Sequence, residues 1–313
     1  MTDQLNALRL FVHVARTGSF SRSGRELGLS QSSASRTIKA LERELGVTLL
    51  RRTTRAVVLT EVGRDYLARV VEILTQLDDA ANAARGDGAL HGLLRVAMPT
   101  SIAIRLVIPL LDAFMAKHPA LRIDLAMADR RQDPIQEGID VAISFGLAKD
   151  SPANARHIGT NERMLVASPS YLAKSPVLAS PDDLYAHTIL TGSVGRQSGA
   201  WSLGADGHTI TPHVQPRLGF NVNEAAVAAA VQGLGILSTG YWGCQSELTD
   251  GRLVRVLPNW KLGTLEMYVV VPAGKSAPRA ARAFANYLVT SLQPMLSDAR
   301  VNERRPSRTA SRR

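Results

Sequence analysis

The sequence predicts an α/β protein in three parts: a small basic helical head, one long connecting helix, and a larger body of alternating strands and helices. Three observations predict it. Residues 1–57 carry ten basic side chains against four acidic ones, Asp3, Glu26, Glu42 and Glu44. From Thr60 to about Arg85, apolar residues recur at close to 3.5-residue spacing. After Gly92, short β-branched runs alternate with helical ones. A chain of 313 residues fits two or three such units, at roughly 100–200 residues each.

The composition narrows the function. With 45% hydrophobic and 20% charged residues, the chain is a folded protein rather than a disordered one. No apolar run approaches the roughly 18 residues of a membrane-spanning helix. The opening MTDQLNALRLFVHVA has no basic leader, apolar core or small-residue cleavage site, so it reads as lacking a secretory signal. A single cysteine, Cys244, excludes a disulfide framework, a thiolate zinc cluster and a two-cysteine switch within one chain. A cytoplasmic protein is expected. The net charge of +10 sits mainly in the head and in the last sixteen residues, which hold six arginines. Such ends suit a polyanion, nucleic acid or anionic lipid, and charge alone does not choose between them.

In the head, Leu5, Leu8, Phe11, Val12 and Ala15 recur at helical spacing, and Gly18 ends that helix. Ser21 reads as the N-cap of a short second helix ending near Leu27 and Gly28. After a tight turn at Leu29 and Ser30, a third helix runs from Gln31 to Leu45 and stops at Gly46. At about 100° per residue, Ala34, Ile38, Leu41 and Leu45 share one face, while Ser32, Arg36, Lys39 and Arg43 fall largely opposite. That is a helix-turn-helix pattern. A basic stripe by itself would equally suit the solvated face of a three-helix bundle. The next segment, LLRRTTRAVVLT, decides: it reads as a hairpin with Arg51, Arg52 and Arg55 around Thr53 and Thr54. A basic helix beside a basic wing points to duplex DNA.

The stretch GSFSRSGRELGLSQSSASRTIKALERELGVTLLRRTTRAVVLTEVG closely resembles the winged helix-turn-helix of LysR-type transcriptional regulators, with the match running from about Leu5 to Gly63. The resemblance implies a third helix entering the major groove. Gln31, Ser32, Ser33, Ser35 and Arg36 match its groove-facing start, and Lys39 continues that face. Arg52 and Arg55 match the wing. Two departures stand out: Gly24 replaces the usual alanine of the helix–helix contact, and Ser32 and Ser33 replace prolines that some members carry.

In the connecting helix, Val62, Tyr66, Val70, Ile73 or Leu74, Leu77, Ala81 and Ala84 form the seam. Packing on the same chain is one way to bury it. The geometry and the resemblance favour a helix pair between two chains, hence a homodimer or homotetramer reading an inverted repeat in a promoter. GDGALHG marks the domain boundary. In the body, LLRVAMP, LRIDLAM, DVAISFG, MLVASP, HTILTG, VQPRLGF, GILSTG and LEMYVVVP read as strands, giving open α/β sheets.

The body also resembles the LysR-type effector-binding domain, with the two-lobed architecture of periplasmic binding proteins (type 2). This implies a division into 1–59 (head), 60–88 (linker) and 92–298 (effector domain). Lobe I is 92–163 with 268–298, lobe II is 164–267, and the crossings near 163 and 268 act as hinge. Residues 299–313 are expected to be a disordered basic tail. Ligands in such sheets lie beyond the carboxyl ends of strands, near helix N-termini. That rule selects Thr100, Ser101, Ser144 and Phe145 from lobe I, and Thr191, Asn221 and Asn223 from lobe II. Thr100 and Ser101, taken singly, also read as helix caps. Free N–H groups there favour a carboxylate or other anion; Arg130 and Arg131 could add positive potential, although they read more readily as solvated surface arginines.

No HExxH, GxSxG, GxxxxGK[ST] or strand-following GxGxxG occurs, and the seven histidines are scattered without ligand spacing. No enzyme, metal site or cofactor is expected. A transport-type solute receptor would fit the body but not the head. A nucleoid-like architectural protein would leave a 200-residue body idle. The sequence therefore reads as a ligand-responsive transcription factor.

Overall fold

The structure is a computed structural model and describes residues 2–52, 57–85, 89–129, 138–146, 154–192 and 201–302. Helices α1 (Thr2–Thr17), α2 (Phe20–Glu26) and α3 (Gln31–Leu45) form the head with the hairpin β1 (Leu50–Arg52) and β2 (Val57–Leu59). Leu10, Phe11, Val14, Ala34, Ile38, Leu41 and Leu49 fill its core. The second helix is capped by Ser19, not Ser21: Ser19 is extended and its Oγ accepts the Arg22 N–H at 3.3 Å. Gly18 at φ +62 ends α1, so the chain enters α2 two residues earlier than the serine pattern suggests. Leu45 also departs from expectation, lying 38% exposed in the last turn of α3.

The connecting helix α4 spans Glu61–Arg85. Thr60 Oγ1 accepts the Gly63 N–H at 2.9 Å, an N-terminal cap. A Cβ at Gly63 would overlap the Leu49 carbonyl, so glycine is what lets α4 begin against the hairpin. The expected single seam is divided. Tyr66, Val70 and Leu74 pack onto the head, with the Phe11 and Tyr66 rings 5.5 Å apart. Val62, Ile73 and Leu77 face outward at 51, 56 and 43% exposure. The side chains of Ala81 and Ala84 lie outside the described residues.

The body contains, in order, β3 (Gly92–Met98), α5 (Thr100–Ile102), a π-helical segment (Ala103–Val107), α6 (Ile108–Lys117), β4 (Leu121–Met127), β5 (Val141–Phe145), β6 (Ala155–Ala167), α7 (Pro169–Leu172), β7 (Ile189–Thr191), β8 (Leu203–Ala205), β9 (His208–Ile210), β10 (Pro216–Gly219), α8 (Asn223–Val231), β11 (Ile236–Gly240), α9 (Gln245–Thr249), β12 (Val254–Val256), β13 (Thr264–Val270) and α10 (Arg279–Asn302). Two half-sheets share β6. In the first the order is β6-β13-β5-β3-β4, with β3 parallel to both β4 and β5. In the second, β10, β7 and β11 run parallel and β11 pairs antiparallel with β6, whose other edge takes β12.

β6 changes partners midway. Ala155–Glu162 pairs with β13, and Arg163–Ala167 pairs with β11 and β12. The return crossing falls at Gly263–Thr264, earlier than 268, because all of β13 is bonded to β5 and β6. Helix α10 covers lobe I with Ala281, Phe284, Leu288, Leu292 and Leu296 and continues to Asn302. Positions 299–302 thus belong to a helix rather than the tail, and 303–313 lie outside the described residues.

The divided seam makes a direct prediction. Leu74→Ala should destabilise the head by about 2–5 kcal/mol, as loss of a buried leucine does. Arg69→Ala, on the exposed side of the same helix, should stay within about 0.5 kcal/mol. Urea melts of the two variants, followed through the head, measure both.

Candidate nucleic-acid interface and interlobe site

Helix α3 presents its polar face on a firmly capped start. Ser30 is extended, and its Oγ accepts the Ser33 N–H at 3.1 Å and meets Ser32 Oγ at 2.9 Å. Gln31, Ser32, Arg36, Lys39 and Arg43 are exposed, while Ser33 and Ser35 are half-buried. Arg36 donates weakly to Ser33 Oγ at 3.4 Å, leaving most of its guanidinium toward solvent. The wing is held to this helix by Glu42, whose Oε1 accepts the N–H groups of Leu49 (2.8 Å) and Leu50 (3.0 Å). Arg51 is exposed on β1. Arg52 pairs with Val57 in the hairpin, but its side chain and all of Arg55 lie outside the described residues. Gly24 has a reason beyond helix propensity: a Cβ there would stand 2.7 Å from the Leu29 carbonyl oxygen, inside the tight turn before α3.

A charged cluster joins the head to the body. Glu26 Oε2 accepts from Arg95 on β3 at 3.2 Å, while Oε1 takes Arg22 and His13 stands 3.3 Å away. Burial would raise the Glu26 carboxyl, but the Arg22 bond and the charge of Arg95 outweigh it and hold it low.

Between the lobes, Thr100, Ser101 and Asn223 do come together, around a residue the sequence reading missed. Asp129, just beyond β4, accepts the Thr100 N–H on Oδ1 at 2.7 Å and the Asn223 N–H on Oδ2 at 2.6 Å. Asn223 Nδ2 donates to Ser101 Oγ at 3.1 Å and its Oδ1 accepts from Thr239 at 3.0 Å. The free N–H expected at Thr100 is therefore taken by the protein's own carboxylate. Thr100 and Ser101 are not caps either: the N-cap position is Pro99. Thr191 is buried at the end of β7, and Ser144 Oγ donates to the Gly146 carbonyl at 3.2 Å. Phe145 packs against the lobe I core. Asn221 is exposed. Arg130 and Arg131 lie outside the described residues. The rule that picked Thr100 also picks Asp129, the second residue past a parallel strand.

Arg105 was missed as well, although a lone cation in SIAIRLVIPLLDAF is a visible signal. Carried on the π-helical segment, it crosses to lobe II and binds both Glu224 oxygens at 2.9 Å, Glu247 at 2.9 and 3.2 Å, and Ser246 at 2.6 Å. Burial would lower the Arg105 pKa, but the bonds to Glu224 and Glu247 raise it. Burial would likewise raise Glu247, and the Arg105 bond holds it below the usual carboxylate range. Cys244 is fully buried, and burial foremost, with the Glu247 charge, pushes its thiol up to about 12, so little thiolate forms at neutral pH. Among the described residues, no three His, Cys, Asp or Glu side chains gather as a metal site.

Comparison with known proteins completes the picture. Residues 5–64 match "Bacterial regulatory helix-turn-helix protein, lysR family", and 87–293 match "LysR substrate binding domain". The chain is 33% identical over 290 residues to the HTH-type transcriptional repressor PA14_22550 of Pseudomonas aeruginosa, covering 92% of each. Its fold is similar to the full-length Vibrio cholerae virulence activator AphB (28% identity, TM-score 0.60, 92% and 99% covered). It is also similar to CrgA, a LysR-type transcriptional regulator from Neisseria meningitidis (28%, TM-score 0.58, 92% and 98% covered).

The depressed Glu247 carboxyl gives a signed pH dependence. Its contribution is present above the usual carboxylate range and is lost as pH falls through its lowered value. Glu247→Gln should cost about 1–3 kcal/mol at neutral pH, and the gap to wild type should start to narrow as pH falls below the ordinary glutamate value of about 4.3 and vanish only below the lowered one. Thermal midpoints of the two proteins across pH check it.

Proposed function

The chain belongs to the LysR family of transcriptional regulators, with a DNA-binding head and an effector-binding body, and from that premise we propose how its own residues work. It acts in the cytoplasm as a homo-oligomer, with neither catalytic nor membrane role; no helix among the described residues is long and apolar enough to cross a membrane. Helix α3 reads the major groove through Gln31, Ser32, Ser33, Ser35, Arg36 and Lys39, and Arg52 and Arg55 contact the backbone. The single observation that carries this reading is the exposed polar row of α3, fixed at its start by Ser30 and tied to the wing by Glu42.

Two heads joined through the outward side of α4, at Val62, Ile73 and Leu77, read an interrupted inverted repeat in promoter DNA. A small carboxylate or other anion binds between the lobes, where Thr100, Ser101, Ser144, Phe145, Thr191, Asn221 and Asn223 supply the surroundings. Such a ligand shifts promoter binding only by its unequal affinity for two arrangements of the protein.

Selection of genomic fragments by the full-length protein should enrich one family of inverted repeats; enrichment of no sequence over bulk DNA would refute the reading. On the selected site, Arg36→Ala should cost about 1–3 kcal/mol, with a smaller loss on random DNA. Ile73→Glu with Leu77→Glu should give monomers by light scattering and weaken binding to the full repeat, while leaving the head folded.

A further inference from the structure

Arg95 is out of keeping with its strand. β3 is an inner strand of the first half-sheet, parallel to both neighbours, and such strands are ordinarily apolar along their length. Here LLRVAM carries a guanidinium in mid-run, only 11% exposed, with Asp124 of β4 3.8 Å away. The Arg95 main chain is held twice by Asp140: its N–H donates to the carboxylate at 2.9 Å, and its carbonyl accepts the Asp140 N–H at 2.9 Å. Glu26 is equally out of keeping with its helix. It is the last residue of α2, where the negative end of a helix disfavours a carboxylate. Arg22, its partner within α2, precedes it by four residues, the weaker order for such a pair. His13 of α1 stands 3.3 Å away, and the Arg95 guanidinium reaches Glu26 Oε2 at 3.2 Å from 69 residues along the chain. A join of six residues, 86–91, between α4 and β3 fixes where the head is attached, not which way it faces. The direction is set where head and body touch: α4 passes the turn Gly274–Ser276, and Glu26 meets Arg95.

We propose that Arg95 is a positioning residue for DNA reading: by gripping Glu26 it sets the angle at which the body carries the head, and thereby the half-site spacing that two heads read together. The second half rests on the reading that two heads bind an inverted repeat. Neither residue lies on the polar row of α3 or in the wing, so the grip leaves the fit of one head to one half-site untouched. Each added base pair turns a half-site by about 34° around the duplex, so a held head tolerates few spacings and a released one tolerates several. Any rearrangement of lobe I that moves β3 carries Arg95 with it and re-aims the head.

The test uses the full-length protein and copies of its selected site whose central spacer is lengthened or shortened one base pair at a time. Wild type should bind one spacer best. In Arg95→Gln and in Glu26→Gln, the advantage of that spacer over its neighbours should shrink about threefold or more, as the loss of an ion pair from each of two protomers implies. Affinity for a single half-site should stay within about twofold of wild type. The double variant should match the singles, because either substitution alone removes the pair, and Arg95→Lys should recover part of the preference. Spin labels on Val47→Cys in the head and Arg122→Cys on β4, both exposed positions, read the angle without DNA. One narrow distance is expected with Arg95 in place and a broad spread with Arg95→Gln. Unchanged spacing profiles in both Gln variants would overturn the proposal. So would a loss of half-site binding in step with the spacing preference, which would make the pair a support of the head's own fold. If wild type prefers no spacer, the paired-head reading falls and the label distances decide alone: broadening in Arg95→Gln upholds the grip, and equal widths end it.

Discussion

The antiparallel pairing of β6 with β13 is the constraint on which the body depends. One strand of thirteen residues belongs to both half-sheets, exchanging β13 for β11 and β12 at Glu162–Arg163. A strand continuous through two sheets fixes where their parallel strands end, and those ends face each other across the site. This is why Thr100 from one lobe and Asn223 from the other, more than a hundred residues apart, lie within reach of a single carboxylate. Asp129 and Arg105 then tie the lobes at two further points, one by backbone donors and one by a fan of carboxylates. Breaking a buried pair of the second kind strands a charge in a poorly solvated place, so it is a durable join.

The head repeats this economy of fixed points. Ser30 sets the start of α3, Glu42 ties the wing to its outer half, and Thr60 with Gly63 launches α4 from the hairpin. Rigid placement suits a reader of base edges, where the gain from a bidentate contact depends on geometry. Glu26 and Arg95 join this head to β3. The same strand ends at Met98, two residues before Thr100, so a short, stiff path of main chain connects the head contact with the interlobe site. The contiguity is physical; coupling along it is a matter of energies, and reciprocity requires that it run in both directions.

Much of this was legible in the sequence, for identifiable reasons. Helix α3 and its stop at Gly46 were visible because amphipathic period, cap and glycine agree there. The central parallel strands of the body, β3, β5, β7 and β11, were visible because buried strands are short apolar runs. The first half of β6 was hidden: Arg156, His157, Asn161 and Glu162 give it the look of a loop, although pairing with β13 makes it a strand. β12, three residues long, carries too little pattern to be seen. The seam of α4 showed its period but not its division, because spacing does not tell which apolar residues the chain's own head will cover. At the interlobe site Thr100, Ser101 and Asn223 followed from fold rules, whereas Asp129, which bonds two of them, did not. A single aspartate after a strand reads as a turn residue until the second lobe is in place.

Occupancy of the interlobe site and the hold of the head on DNA should form one linked equilibrium. Amide exchange of the full-length protein, with and without its selected DNA site, tests it most directly. DNA should change exchange not only in α3 and the wing but also at Thr100 and Asn223, far from the duplex. Protection confined to the head, with the interlobe amides exchanging identically in both states, would contradict it.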